Sequence, residues 1–323
     1  MPSSSAARLW GLMAVAAASL IASRASAQQQ AQGFAVERFY PSPAGAGWLV
    51  MDDLGMGGRL GGAMQLTTGY AMNTLRVSDG AQHLNVVSSQ AFVDFGISVV
   101  HDRWRVFLNI DAPLAVQGQS GTIGDVQYTA PDLTLGSHPD ALADARLGVA
   151  ARLYGQPDGP LRLGASAELV FPNGARGDYV TDDTFRAMLR ALIAGDSGRL
   201  SYAGQLGVHI RPLDDAPIPG TARGSELLFG AAAGVRFSPG ANRSWALIAG
   251  PEVYGASALQ ALDGSTTALE ALLSARIEGT ATRGRQLRFK LGAGGGLHPD
   301  FGAPEWRLVL AIELFNRDVV APR

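Results

Sequence analysis

Along most of the chain, apolar and polar side chains alternate with a period of two. From Trp306 to Phe315, Trp306, Leu308, Leu310, Ile312 and Leu314 fall on one side of an extended backbone, and Arg307, Val309, Ala311 and Glu313 on the other. The same split sets Trp104, Val106, Leu108 and Ile110 against Arg105, Asn109 and Asp111, and Leu161, Leu163, Ala167 and Leu169 against Arg162, Ser166 and Glu168. It returns with Leu206, Val208 and Ile210 against Gln205, His209 and Arg211, and with Leu287, Phe289 and Leu291 against Arg288 and Lys290. Strands are expected near 62–72, 85–100, 104–111, 146–154, 161–171, 185–194, 200–211, 225–237, 245–254, 269–278, 287–296 and 306–315. The segment 185–194 is the least regular: Met188, Leu192 and Ala194 share the face of Arg186 and Arg190, and its Ala-Leu-rich text also suits a helix.

The links between strands carry a second pattern. Those at 101–103, 156–160, 195–198, 238–243 and 280–285 are short, whereas most of the alternate links are longer and rich in Gly, Pro and Asp. Short turns on one rim and long loops on the other describe a transmembrane antiparallel up-and-down β-barrel, with the turns in the periplasm and the loops outside. The expected fold is therefore all-β, a barrel of about 12 strands. An even count places both termini at the short-turn rim. In the opposite register Arg162 and Glu168 would face lipid, and a midplane Arg there costs roughly 2–4 kcal/mol. Repeated over several strands, that exceeds a fold stability of about 5–15 kcal/mol, so the charged faces point inward. In a soluble sandwich the same charges would face bulk water. Trp104, Phe171, Phe237, Trp245, Trp306 and Phe315 at strand ends fit an interfacial girdle. Leu310→Arg is then expected to block assembly and Val309→Arg to be better tolerated.

Before the strands stands a leader. Arg8, the apolar run Leu9 to Ile21 and the small-residue site Ala25-Ser26-Ala27 read as a signal peptide over 1–27. No later apolar run reaches eighteen residues, which excludes a helical membrane protein. Residues 28–61 open with a Gln-rich stretch and continue with Phe34, Phe39, Tyr40, Trp48 and Leu49 among Pro and Gly, with neither period sustained. This segment is expected in the lumen or at the periplasmic mouth, or else it is a linker. The barrel domain is 62–315 and a tail covers 316–323.

Composition narrows the chemistry. The chain has 41 Gly, 17% charged residues and no Cys, which removes disulfides and thiolate metal sites. A net charge of −2 offers no basic surface for nucleic acid. The inward positions include Arg105, Asp111, Arg146, Arg152, Arg162, Glu168, Arg190, Arg211, Arg236, Glu252, Glu270, Arg276, Arg288, Lys290, Arg307 and Glu313. Two readings stay open: a pore lining that selects solutes by charge, with a preference for anions because Arg is in excess, or pairs that cross the lumen and fill it. No G-x-S-x-G, P-loop or H-E-x-x-H motif occurs. His209 with inward Ser166, Ser201 or Ser274 could make a Ser/His pair, yet a satisfied lumen His is the simpler expectation. Asp182, Asp183, Asp214, Asp215 and Asp300 are read as exposed loop acids that could meet a cation and ordinarily stay solvated. No catalytic residue, cofactor or bound metal is expected.

The segments Gly33 to Ser42, Gly224 to Ala231, Gly250 to Gly255 and Phe301 to Arg307 resemble the N-terminal barrel of OmpA-family proteins of myxobacteria and related delta-proteobacteria. That resemblance implies an outer-membrane barrel and no catalytic residues. The expected function is a porin-like passive diffusion channel or a structural protein of the outer membrane. The alternatives are a surface adhesion or assembly module acting through the outer loops, and an outer-membrane phospholipase-type hydrolase. Expected partners are the lipid bilayer, the outer-membrane assembly machinery that reads the Leu314-Phe315 end, and small solutes.

Overall fold

The structure, a computed structural model, describes residues 29–58, 60–213, 224–238, 245–262, 266–279, 283–298 and 302–318. The expected signal peptide, Asp214, Asp215, Asp300 and residues 319–323 of the tail lie outside the described residues, as do parts of the links at 238–243 and 280–285. Sixteen strands are described. In chain order they are β1 (Gln29–Gln30), β2 (Gly61–Ser78), β3 (His83–His101), β4 (Trp104–Gln117), β5 (Gly121–Ile123), β6 (Val126–Tyr128), β7 (Asp132–Thr134), β8 (Ala145–Tyr154), β9 (Arg162–Phe171), β10 (Arg186–Ser197), β11 (Leu200–Ile210), β12 (Glu226–Phe237), β13 (Trp245–Ala258), β14 (Thr267–Gly279), β15 (Arg283–His298) and β16 (Trp306–Asp318).

Twelve of these form a closed antiparallel wall in which each strand pairs with its sequence neighbour and β16 returns to β2. At the closing seam Gln65 stands opposite both Glu313 and Gly96. The barrel expected from the alternation is therefore the fold observed, and the expected strand 185–194 forms from Arg186 onward as part of β10. One extra strand, β7, adds to the outer end of β4 at Ala115 to Gln117, while β8 takes its lower half from Trp104 to Ile110. A tilted strand of about 9–11 residues crosses a bilayer. With 18 and 19 residues, β2 and β3 run well past that length. Their overhang, the outer loops and the start of the chain bury Phe34, Val36, Leu75, Leu84, Val86, Leu133, Tyr179 and Val180 in a cap over the long-loop rim.

The two faces of the wall differ as the parity requires. Leu66, Leu310 and Ile312 are 46%, 48% and 43% exposed on the outside, whereas Glu313 and Val309 are 0% exposed on the inside. A belt of exposed Leu, Ile, Val and Phe with Trp104 and Trp245 at one rim and Trp306 at the other is a lipid-facing surface. The protein is an outer-membrane β-barrel.

Three expectations change. Phe315 leaves the girdle: it points inward, buried with Ala44 and Ala63, and Arg288 lies 4.3 Å from its ring centroid. Its odd position puts it on the face of Arg307 and Glu313, so the same parity that defines the outer row excludes it. Val309 faces protein rather than water, within an apolar cluster that includes Trp48, Leu49 and Met51. The wall begins and ends at the short-turn rim, but the described chain does not begin there. Gln29 and Gln30 pair in parallel with Val126 and Gln127, in the long outer connection between β4 and β8.

Candidate functional site: the lumen

The segment between β1 and β2 runs down the inside of the barrel. Surrounded by wall on all sides, it has no reason to alternate, and its apolar side chains point in every direction. Phe34, Val36, Met51 and Leu54 are 0% exposed, and Phe39, Trp48, Leu49 and Met56 nearly so. The segment turns back on itself at residues 43–47, where Ala46 N–H donates to the Pro43 carbonyl at 2.9 Å. Gly45 and Gly47 hold φ of 86° and 91° in that turn, which side chains with a Cβ rarely adopt. Sharp turns and backbone left without a ladder must find other hydrogen-bond partners, and the wall supplies them.

At the outer end, Asp182 accepts the Ala35 N–H at 2.8 Å and pairs with Arg211 at 2.7 Å. Glu226 receives Arg38 and Arg211, each at 2.6 Å. Asp182 is thus a buried clamp rather than the exposed loop acid expected. Burial alone raises its pKa, but the Arg211 guanidinium outweighs this and holds the carboxyl below its ordinary value. Below this layer Arg307 bridges Glu37 at 2.6 Å and Glu270 at 2.7 Å, its guanidinium 5.0 Å from the Phe39 ring centroid.

In the middle, Glu252 accepts the backbone N–H groups of Leu49 at 3.0 Å and Val50 at 2.9 Å. Lys290 donates to the Trp48 carbonyl at 3.1 Å and pairs with Glu313 at 2.8 Å. Arg146 donates to the Pro41 carbonyl at 3.0 Å, and Arg276 covers the Trp48 ring at 4.7 Å. Toward the short-turn rim, Arg105 pairs with Asp52 at 2.5 Å and donates to the Gly45 carbonyl at 3.0 Å. Arg152 donates to the Met56 carbonyl at 2.9 Å, and Asp102 N–H to the Gly58 carbonyl at 2.9 Å.

Every inward position expected from the sequence is found buried or half-buried on the inner side. Eight of them, Arg105, Arg146, Arg152, Arg211, Glu252, Arg276, Lys290 and Arg307, touch the plug. The others mostly pair along the wall: Arg162 with Asp196 at 2.8 Å, Arg236 with Asp196 at 3.4 Å, Arg190 with Glu168, and Arg288 with Glu278 at 2.7 Å and Glu313 at 2.6 Å. Asp111 lines a free space of about 50 Å³ with Glu37 and Arg146. A second, of about 40 Å³, lies beside Asp53, Arg105 and Arg288. A water needs roughly 10–15 Å³ of such volume, so each space has room for a few waters.

His209 is fully buried, its Nδ1 3.4 Å from Glu226 and its ring 5.8 Å from that of Tyr40. Ser274 donates to the Gly250 carbonyl at 3.1 Å and Ser201 lies 3.5 Å from Arg276. Among the described hydrogen bonds none joins His209 to a serine, so the pairing that hydrolysis would need is not formed.

Parity could not show that part of the wall is carved to fit the plug. A Cβ on Gly230 would meet Met51 Cε at 2.3 Å, one on Gly234 Trp48 Cη2 at 2.9 Å, and one on Gly292 Leu49 Cδ1 at 2.3 Å. Inward Met188, Leu192, Ile248 and Leu272 complete the apolar lining. The available signal was the mixture of apolar residues and glycine on faces that also carry Arg and Glu, which a water-filled lumen does not call for.

No protein family and no curated protein matches the chain. Among solved structures, the NanC porin is similar at 8% identity over 79% of this chain and 99% of its own, with a TM-score of 0.45. The Ralstonia pickettii toluene transporter TbuX matches at 12% identity over 88% and 98%, TM-score 0.41. The monoaromatic hydrocarbon channel CymD matches at 11% over 82% and 90%, TM-score 0.38.

Proposed function

We propose that this outer-membrane barrel is a channel held shut by its own N-terminal segment, with a lumen that stays closed until that segment moves. The observation that carries the reading is the set of contacts from Ala35 to Gly58 among the described residues, with free spaces of about 50 and 40 Å³ between plug and wall that each hold a few waters. A standing pore selective for anions does not fit this arrangement, because the arginines that would select are already paired with carboxylates or bound to plug carbonyls.

The second reading is a structural outer-membrane protein that never opens. It draws on the apolar cluster joining Phe39, Trp48, Met51 and Leu54 to Phe107, Ile248 and Val309, which resembles a protein core more than a hinged gate. Planar-bilayer conductance separates the two. The intact protein is expected to show no steady current, and a form lacking residues 31–57, or carrying Glu252→Ala with Lys290→Ala, to conduct. Steady current through the intact protein overturns the closed state; silence of correctly folded plug variants leaves the structural role.

A further inference from the structure

We infer that the barrel carries the amino-terminal side of its plug across the membrane, so that Gln29 and Gln30, with any peptide joined to them, are displayed at the outer surface. The path of the chain gives the direction. Gln29 and Gln30 are exposed and lie in a parallel ladder against the long outer connection. Gln29 N–H donates to the Asp125 carbonyl at 3.2 Å, and Ala31 N–H to that of Gln127 at 2.8 Å. Next, the Gly33 carbonyl accepts Arg176 Nε at 2.6 Å and Ala35 reaches Asp182, both on the following outer connection. The chain ends its descent at the opposite rim, where the Met56 carbonyl accepts Arg152 and the Gly58 carbonyl accepts the Asp102 N–H in the turn between β3 and β4. From Gly33 to Gly58 it therefore runs from outside to inside, and β2 starts back from the periplasmic end.

The outer position is built, not incidental. Phe34 and Val36 are 0% exposed beneath Leu75, Val86, Leu133 and Tyr179. Withdrawal toward the periplasm would break the Ala35–Asp182 and Arg38–Glu226 contacts and drag both side chains through a lumen with room only for a few waters. The same tight fit fixes when transfer occurs: the segment takes its place before β16 closes onto β2, and the strands seal around it. What lies exposed at the outer rim is polar and uncharged: Gln29, Gln30 and Gln32. The barrel then presents a tail or a fused peptide to the exterior with no standing pore for it to cross.

The chain contains no cysteine, so single thiols report without background. Gln30→Cys at the outer rim and Asn316→Cys at the short-turn rim are made separately and treated on intact cells with a large membrane-impermeant maleimide. Gln30→Cys is expected to label fully in intact cells, and Asn316→Cys only after the outer membrane is permeabilised. Labelling of Gln30→Cys only after permeabilisation, or under neither condition, overturns the inference. An epitope inserted after Gln28 is the second arm: antibody must bind it on intact cells, and binding confined to permeabilised cells refutes display even if the thiol variants fold poorly.

Discussion

Among the described residues Glu252 gives the plug backbone two hydrogen bonds, since both of its oxygens are taken by consecutive amides, Leu49 and Val50. Glu252→Ala leaves two buried N–H groups without partners, at about 1–3 kcal/mol each. The expected result is a lower urea midpoint in detergent and faster amide exchange at 49 and 50, with Glu252→Gln, which keeps one acceptor, in between. Asp182 sets the acid limit of the outer clamp. Its folded pKa lies below the ordinary 3.8 because Arg211 outweighs burial, so its contribution is complete above about that value and is lost as pH falls through the lower, folded one. Exchange or proteolysis at residues 33–38 is expected to rise sharply below pH 3.8, and Asp182→Asn to show the loosened state at neutral pH. At this scale the sequence was informative about direction only. Parity told that Arg105, Glu252 and Lys290 point inward, but an inward side chain meets water or protein with the same period, and its partners Asp52, Leu49 and Trp48 lie in text without any period.

Strand β16 shows what the presence of a plug does to a barrel strand. Leu310→Arg places a charge in lipid, at roughly 2–4 kcal/mol near the midplane, and is expected to stop assembly in any background. Val309→Arg is not the mild change that an aqueous lumen would make it, since Val309 packs against the plug and the larger side chain overfills that site. In a form without residues 31–57 it is expected to become harmless while Leu310→Arg remains blocked, as read by the heat-modifiable gel shift of folded barrels. The plug itself is the element that sequence reasoning resolves least. Aromatic residues scattered among Pro and Gly read equally as a linker, because enclosure on all sides erases the one-sided burial that gives strands and helices their periods. The inward glycines provide the complementary test. Gly292→Leu would occupy the space held by Leu49 and is expected to expel the plug, giving conductance without deleting a residue.

For the molecule as a whole, alternation and rim asymmetry were enough to reach the barrel, its twelve strands and the face each strand turns outward. They were enough because lipid imposes the outer row strand after strand. Whether the lumen is open depends on contacts between distant residues, such as Asp52 with Arg105, 53 positions apart, and Glu37 with Arg307, 270 apart, and no local pattern encodes those. Closure by the chain's own N-terminal segment also makes the interior a second apolar core beside the lipid-facing surface. Removing the segment is therefore expected to lower the thermal midpoint of the detergent-solubilised barrel as well as to open it, whereas a loose lid would leave that midpoint unchanged.

Lys290 is the only lysine in the chain, 3% exposed, with its ammonium committed to Trp48 and Glu313. Acylation by a small ester therefore has one side-chain target in the entire protein, and the plug covers it. The rate at which that nitrogen is modified counts the excursions of the plug, in wild-type protein and in its native membrane, and an acyl group located on Lys290 by peptide mapping, as distinct from one on the α-amine, records each molecule that has opened.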